Sequence, residues 1–462
     1  MLEFFYTLLM LVSFVGMFLY SRSIPVAFIS LYITYWFLPQ GIPIIGTDLG
    51  FVSILGICEL VFFCYYYIVF LKPNEYNDVL MYESLYYIRD FILFLLLIAF
   101  MSTVIPFGQQ ISGLGRFFLY LLNTVIVASC FNERKEFICV FHFVILWIFL
   151  SGIYGIYTYI IQFNPFAELV VATQTLFEEQ GMKSSFLEEE RGFLHGRISG
   201  FTVHPLLYGG VLVLCFYLMM FYYQDVKSKW GKFLLYGVFF SCLVLIVLTG
   251  SRSILIGLIC GLLYYFWRLY SQKLIKYALI ASVFFFLFGL TIEDEYVRSI
   301  LFFWEEHDEI QGSSSSMRVE QLEAAVDIIS NDIQSLLFGF GRGWSAEYVL
   351  KYGNVKPFQG FEGFFISSFV EYGILGTIIY FFILFVPLYK ICTNYVEDTQ
   401  RKTLLKAFLI SGFVIYSFTG VAYGLWLYVV LTFLLIKYTD YMNVPDDIEC
   451  DEGLNNIDCP ES

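Results

Sequence analysis

Arg252 lies in the turn LTGSRSILIG (248–257), between two apolar stretches that leave almost no loop. Arg252 must therefore lie beside the backbone N–H groups in the first turn of the helix that the second stretch forms. A cation is normally unfavourable at a helix N-terminus, because that end of the helix is itself positive. The placement becomes favourable when both bind the same anion, and helix N-termini bind phosphate readily. The turn predicts a phosphate site. The alternative is an arginine that only anchors the helix at a bilayer surface.

A second group of candidate residues ends the polar segment 163–205, which closes with EEERGFLHGRISGFTVHP. The three consecutive glutamates before Arg191 are typical of a solvated face. Glycines and Pro205 then specify a tight entry into an apolar helix, where a charged group must face protein or a watery cavity. We expect Arg197 and His204 to occupy such a position.

The long segment 293–362 contains a helix of its own, because its apolar residues recur at spacings of three and four. Its opposite face is polar, so the helix should lie across the outer surface with its apolar side on the membrane. Arg318 falls in the first turn, again a cation at a helix N-terminus. The apolar positions are Leu322, Val326, Ile329, Ile333 and Leu336.

Arg342 stands in the glycine-rich stretch LFGFGRGW (337–344). Glycine-rich loops cradle phosphates in some proteins, but a spacing of this kind is weak evidence for one. A turn that carries no ligand is the other interpretation.

Glu362 precedes the apolar helix that closes this segment. Desolvation beside a membrane raises the proton affinity of a carboxylate, so Glu362 could accept a proton from a hydroxyl group. A salt bridge with Arg252 or Arg318 is the alternative. Glu59, inside another apolar stretch, is interpreted as a structural hydrogen-bonding residue rather than a functional acid.

Motifs for other chemistries are missing from the sequence. It has no Walker loop, dinucleotide-binding fingerprint or metalloprotease-type histidine pair. Its four histidines are widely dispersed. We therefore expect no metal site and no cofactor, and an energy source that resides in the substrate.

The composition places these residues in a membrane protein. Hydrophobic residues make up 59% of the 462 residues, against roughly 45–50% in soluble domains. Charged residues make up 14%, against about 25% in soluble domains, and mean hydropathy is +0.73. The polar residues are too few to cover so large a hydrophobic core in water, and a soluble enzyme is therefore excluded.

A spanning helix needs about 20 apolar residues, and about thirteen stretches qualify or come close: 3–20, 24–38, 49–71, 88–105, 117–131, 136–162, 206–223, 233–249, 253–267, 274–292, 363–389, 403–419 and 421–437. The predicted organisation is N-terminal transmembrane helices (1–162), an external loop (163–205), transmembrane helices (206–292), an external loop with an amphipathic helix (293–362), C-terminal transmembrane helices (363–437) and an acidic, disordered cytoplasmic tail (438–462).

The charges set the orientation. Strict alternation puts the short lysine-rich loops on one side, which the positive-inside rule assigns to the cytoplasm, and leaves the two long loops outside. The net charge is 26 − 40 = −14. Eight of the acids fall in the tail from Asp440 onward, so the rest of the chain carries −6. Neither value favours nucleic acid as a partner.

Taken together, these segments resemble the bacterial O-antigen polymerase and ligase superfamily of polytopic membrane glycosyltransferases. The matching segments are GRISGFTVHP (196–205), LTGSRSILIG (248–257), SSMRVEQLEAAVDIISNDIQSLLFGFGRG (315–343) and FEGFFISSFVEYGILG (361–376). The glycine-serine-arginine turn is the most telling of them.

The resemblance implies a membrane glycosyltransferase (GT-C-like) fold of about 12–13 transmembrane helices in the bacterial cytoplasmic membrane. The implied partners are the bilayer, a polyprenyl-diphosphate-linked glycan substrate and a chain-length regulator protein. Arg197, Arg252 and Arg318 would hold the diphosphate leaving group without a metal, with Arg191 and Arg342 as further binding candidates. An acceptor hydroxyl would attack the sugar C1, with either Glu362 or His204 as the base.

The sequence departs from the ligases at one point. Ligases that transfer glycan to lipid A core typically carry a histidine just before the last external helix, where this chain has Phe361-Glu362-Gly363. This favours a polymerase of oligosaccharide repeat units, of O-antigen or of a capsular polysaccharide, over a ligase. A flippase is the second alternative, although the sequence lacks the duplicated halves expected of a transporter.

Overall fold

The computed structural model describes residues 2–38, 51–69, 75–102, 104–112, 114–166, 197–202, 204–269, 315–345, 348, 364–418 and 424–442. The principal elements in these ranges are α-helices. In chain order they are α1 (Leu2–Ser21), α2 (Ile24–Phe37), α3 (Phe51–Val69), α4 (Glu75–Met101), α5 (Phe107–Ser112), α6 (Leu114–Cys130), α7 (Arg134–Ile161), α8 (Pro205–Asp225), α9 (Lys229–Leu248), α10 (Arg252–Leu269), α11 (Ser315–Ile329), α12 (Ile333–Phe338), α13 (Phe364–Tyr395), α14 (Thr399–Phe418) and α15 (Leu425–Met442).

Within these ranges, eight helices are long and apolar enough to cross a membrane. Helix α2 and part of α6 are apolar but shorter. The chain is therefore an all-helical polytopic membrane protein, as the sequence predicted. The eight candidate spans are Phe4–Ser21, Val79–Met101, Arg134–Ile161, Pro205–Asp225, Lys229–Leu248, Arg252–Leu269, Phe364–Tyr395 and Leu425–Met442.

The helix bounds refine the predicted stretches. The predicted span 274–292 lies outside the described residues. Helix α4 begins at Glu75, well before the stretch predicted from residue 88, and α15 continues to Met442, beyond the predicted end at 437. Polar first and last turns extend these helices past their apolar parts, which a hydropathy pattern alone does not detect.

One end of the bundle is joined by an ion pair. The Arg401 Nη2 atom lies 2.6 Å from Asp225 Oδ1, and both side chains are largely buried. The Tyr438 hydroxyl donates a hydrogen bond to the other carboxylate oxygen. These contacts connect the end of α8 with the beginning of α14 and the last turns of α15. Loss of one partner would leave a buried charge without its counterion, which is costly.

Each of the two long loops predicted to be external contacts a shorter segment at the opposite end of the bundle. The Ile198 N–H group donates to the Leu248 carbonyl at 3.0 Å, which joins the segment before α8 to the end of α9. The N–H groups of Val104 and Ile105 both donate to the Phe340 carbonyl, at 3.2 and 2.9 Å. Backbone contacts therefore connect loops that are far apart in the sequence.

Two glycines let α10 approach α14 closely. Gly257 and Gly261 stand four residues apart on α10, the spacing by which membrane helices pack backbone to backbone. A Cβ atom on Gly261 would lie 2.6 Å from the Ala407 carbonyl oxygen, and one on Gly257 would lie 3.0 Å from the Ser411 carbonyl oxygen. Because α10 begins at Arg252, this packing also fixes the position of that arginine.

Glu59 makes the structural hydrogen bond that the sequence predicted. It is buried on α3, and the Asn123 Nδ2 atom of α6 donates to its Oε2 atom at 3.0 Å. The pair lines a cavity of about 10 Å³ together with Tyr32, Tyr35 and Tyr120. A polar contact at this depth ties two neighbouring helices together.

The close packing of α10 on α14 generates a prediction. Gly261→Val should destabilise the protein by more than the ~1–3 kcal/mol typical of overpacking, because the obstructing atom is a backbone carbonyl that cannot move aside. Gly237→Val is the matched control, since a Cβ atom at that position would meet nothing within 4 Å. Thermal unfolding of both purified variants in detergent measures the difference. Equal midpoints would contradict the assigned packing.

Candidate functional site

Arg197 lies against the turn that precedes Arg252. Its side chain is buried, with 8% of its surface exposed, and its Nε atom donates to the Thr249 carbonyl oxygen at 2.9 Å. The next residue, Ile198, bonds to the carbonyl of Leu248. Two segments that both contain a predicted site arginine are therefore in direct contact.

The turn itself is tightly built. Gly250 has a φ of 63°, a left-handed conformation that glycine adopts without steric cost. The Thr249 hydroxyl donates to the Ile246 carbonyl at 2.6 Å, and the Leu255 N–H group donates to the Ser251 carbonyl at 3.2 Å as α10 begins. Arg252 is thus the first residue of a helix, as predicted, and its side chain is partly exposed.

His204 caps the N-terminus of α8. Its Nδ1 atom accepts a hydrogen bond from the Leu206 N–H group at 3.2 Å, and the Thr202 hydroxyl donates to its carbonyl at 3.0 Å. Burial, and secondly the positive charge of Arg197, lower the pKa of His204 to about 4. The imidazole is consequently neutral at pH 7 and a weak base, which is less suited to general-base catalysis than a group with a pKa near 7.

The glycine-rich stretch forms a turn that hydrogen bonds hold to the rest of the protein. Gly339, Gly341 and Gly343 have φ values of 73°, 105° and 88°. The Ser345 hydroxyl donates to the carboxylate of Glu371. The remaining acceptors are the carbonyls of Ser335, Val370, Glu371 and Gly341 and the side chain of Gln110. The structure favours the interpretation of this stretch as a turn over that of a phosphate-binding loop.

This turn fits into a kink of α13. Gly373 interrupts the helix with a φ of 68°, and a Cβ atom there would collide with the backbone of Leu337. A Cβ atom on Gly339 would collide in turn with the backbone of Glu371. Only glycine fits at either position, so the two segments depend on this pair for their close approach.

Arg342 projects from the turn onto an aromatic ring. Its guanidinium carbon lies 3.9 Å from the centroid of the Phe117 ring, a cation–π contact. Its backbone N–H group donates to Gln110 Oε1 at 3.1 Å. Its Nη1 atom is buried and has no hydrogen-bond partner within the described ranges.

The beginning of α15 connects the two groups of residues. A Cβ atom on Gly424 would lie 3.7 Å from Leu207, three residues after His204. Two residues further along, Trp426 packs edge to face on Phe117 with ring centroids 4.9 Å apart. The Arg197 and Arg342 groups therefore lie on neighbouring parts of the same end of the bundle.

The other predicted site residues are placed in part or not at all. Arg318 lies in the first turn of α11, as the spacing predicted, but its side chain is outside the described part of the structure. Arg191 and Glu362 also lie outside the described residues.

The single external helix that the spacing predicted is two helices in the structure. Helix α11 ends at Ile329 and a new helix begins at Ile333, because the Asp332 side chain caps it by accepting from the Ser335 N–H group. The face that packs on the protein contains Gln321, Ala325 and Ile329. The predicted apolar residues Leu322, Val326 and Ile333 are exposed.

Glu371, Phe117 and Gln110 contribute to the site but were not predicted. The sequence carried one signal, the acid in FVEYGILG two residues before a glycine within an apolar stretch. For metal binding, the described residues bring together no three His, Cys, Asp or Glu side chains that could hold an ion.

Residues 237–381 match a family model described as O-antigen ligase. The matched segment includes Arg252, Arg318, Arg342 and Glu371, whereas Arg197 precedes it. The match confirms the resemblance of the chain to the O-antigen polymerase and ligase superfamily. Members of that family are glycosyltransferase-like enzymes. No curated protein matched the chain.

The buried imidazole predicts a pH dependence of stability. The pKa of His204 is 6.5 when unperturbed and about 4 in the folded protein, so between these values the unfolded chain binds more protons. Stability should therefore fall as the pH drops from about 6.5 towards 4. His204→Asn keeps a capping acceptor but does not titrate. The decrease in melting temperature between pH 7 and pH 4.5 should be larger in the wild type than in the variant. Equal decreases would contradict the assignment.

Proposed function

We propose that this protein is a polymerase of polyprenyl-diphosphate-linked oligosaccharide repeat units, acting at the outer face of the bacterial cytoplasmic membrane. The observation that carries the proposal is the contact between Arg197 and the turn before Arg252. It joins two segments whose arginines, by the resemblance to the superfamily, hold the diphosphate. The family match over residues 237–381 supports a glycosyltransferase of this superfamily.

Electrostatics favours an anionic substrate at this end of the bundle. Helices α8, α10 and α15 all begin there, and each contributes roughly half a positive charge at its N-terminus. Arginines beside such ends add to this positive potential, which attracts anions. A diphosphate is such an anion, and a guanidinium group binds its oxygens in pairs.

The proposed reaction transfers a sugar between two oxygens. The hydroxyl oxygen of the acceptor attacks C1 of the donor sugar and forms the new glycosidic bond. The bond between C1 and the diphosphate oxygen breaks, and its electron pair leaves with the polyprenyl diphosphate. Arg197 and Arg252, with Arg318 and Arg342, stabilise the charge that develops there, and attack from the opposite side inverts C1.

The proton of the acceptor hydroxyl requires a base, and we assign it to Glu362. This residue stands two positions before α13 begins at Phe364, and the first turn of α13 lies at the same end of the bundle as Arg342. His204 is the weaker candidate, because its Nδ1 atom already caps α8 and its pKa is about 4.

A ligase that transfers glycan to lipid A core is the second candidate function, since the matching family model is described as O-antigen ligase. The sequence Phe361-Glu362-Gly363, which stands where ligases typically carry histidine, favours the polymerase. The surface glycan ladder of a deletion strain distinguishes them. Loss of a polymerase leaves a band of one repeat unit, whereas loss of a ligase leaves long chains on the lipid carrier.

Arg252 provides a test of the phosphate assignment. Arg252→Lys retains the charge but loses the planar fork of donors, so polymer formation should fall by about 10²-fold, as for loss of one leaving-group donor. Lys229→Arg at the opposite end of the bundle is the control and should leave the ladder unchanged. Both variants need normal abundance in membranes. Full activity of Arg252→Lys would contradict the phosphate role and show that this arginine only anchors the helix at the membrane surface.

A further inference from the structure

Gln110 connects the segment between α4 and α6 to the glycine-rich turn that carries Arg342. It stands on α5, and only 4% of its surface is exposed. Its Oε1 atom accepts the N–H group of Arg342 at 3.1 Å. Its Nε2 atom donates to the Ile105 carbonyl at 2.8 Å and to the Ser102 hydroxyl. Both ends of the side-chain amide therefore have partners, as a buried amide requires.

The backbone next to Gln110 also fits closely against the turn. The Ile105 N–H group donates to the Phe340 carbonyl at 2.9 Å. A Cβ atom on Gly341 would lie 2.8 Å from Gln110 Nε2 and 2.9 Å from Ile105 Cβ, so only glycine fits there. The residues just before Arg342 are thus packed on the segment that carries Gln110, and the Gln110 hydrogen bond extends this contact to Arg342 itself.

The peptide unit of Arg342 needs such a partner because glycines flank it. Gly341 and Gly343 have φ values of 105° and 88°, and glycine gives a backbone more conformational freedom than any other residue. A hydrogen bond from outside the turn restricts that freedom, and Gln110 supplies it. The direction in which the Arg342 side chain leaves the backbone therefore depends on this bond.

The guanidinium group of Arg342 is placed where an anion could use it. Its carbon atom lies 3.9 Å from the centroid of the Phe117 ring, and the residue is partly exposed. Among the described residues, the ion pairs are those of Arg89 and Arg401, and neither includes Arg342. Its Nη1 atom has no hydrogen-bond partner within the same ranges. Phosphate oxygens are strong acceptors for guanidinium donors, so a bound diphosphate would provide one.

We propose that Gln110 is a positioning residue that holds Arg342 over the Phe117 ring, where the guanidinium group binds the diphosphate of the substrate. The diphosphate as ligand rests on the proposed function. Gln110 makes no contact with the substrate in this account and acts only through the backbone of Arg342. It lies outside residues 237–381, so the family match assigns it no role.

The first test is a double-mutant cycle in the purified full-length protein. Gln110→Met keeps the approximate size of the side chain but removes its hydrogen bonds. Arg342→Ala and Gln110→Met should each weaken the binding of farnesyl diphosphate, a short polyprenyl diphosphate, by about 10-fold, and the double variant should bind no more weakly than Arg342→Ala alone. Gln109→Met, at the exposed neighbouring glutamine of α5, is the matched control and should bind normally. Losses that multiply in the double variant, or normal binding by either single variant, would overturn the proposal.

The second test separates positioning of one arginine from a general loosening of the turn. Hydrogen exchange resolved to single residues should be faster at the Arg342 amide in Gln110→Met than in the wild type. The Gly339 amide, which donates to the Ser335 carbonyl at 2.7 Å, should exchange at the wild-type rate in both. Unchanged exchange at Arg342, or faster exchange at both amides, would overturn the proposal.

A second variant covers misfolding of Gln110→Met. Ser102→Ala removes one acceptor of the Gln110 amide and keeps the bond to Arg342, so binding of farnesyl diphosphate should weaken by about 3-fold, as for loss of one hydrogen bond. This loss should vanish in the Arg342→Ala background. Normal binding by Ser102→Ala, or a loss that persists without the arginine, would overturn the proposal.

The deletion strain distinguishes failure of this proposal from failure of the proposed function. Binding coupled through Arg342, in a protein whose deletion leaves the surface polymer intact, would refute the polymerase and leave Gln110 in its role. Loss of the polymer on deletion, together with uncoupled binding, would retain the polymerase and overturn the role of Gln110.

Discussion

The hydrogen bond from Arg197 to the Thr249 carbonyl joins the two segments on which the site depends. A buried guanidinium group must find acceptors, and here a backbone carbonyl at the end of α9 supplies one. This hydrogen bond holds the segment before α8 against the turn that precedes α10. Because the acceptor is a neutral carbonyl, this contact does not itself neutralise the positive charge of the arginine. The helix N-termini nearby add to the same potential.

Local patterns in the sequence were sufficient for some of this arrangement. Arg252 was predicted at the start of a helix because two apolar stretches leave no room for a loop, and the helix begins at that residue. Glu59 was predicted to make a structural hydrogen bond because an acid inside a membrane helix requires a partner, although the sequence did not identify Asn123. Both predictions depended on the immediate surroundings of one residue.

Contacts between distant segments could not be predicted in this way. Ser345 at the end of the glycine-rich turn and Glu371 belong to different segments, and only the fold shows that the Ser345 hydroxyl donates to the acid. The same limitation affected α11, where the periodicity identified apolar positions but not which of them face protein. Ala325 and Gln321 are buried because α11 packs on α13, while the larger Leu322 and Val326 remain exposed.

The two ends of the bundle treat charge in different ways, and the difference indicates where the chemistry takes place. At one end, Arg401 pairs with Asp225, and Tyr438 completes the contact, so the charges cancel within the protein. At the other end, Arg197 donates to a backbone carbonyl, Arg342 lies over an aromatic ring, and the nearby carboxylate of Glu371 accepts from the Ser345 hydroxyl. Arginines and helix N-termini at one end of the bundle raise the positive potential there. Such an end favours an anionic substrate, and when the negative charge grows as the leaving group departs, the same arrangement lowers the barrier.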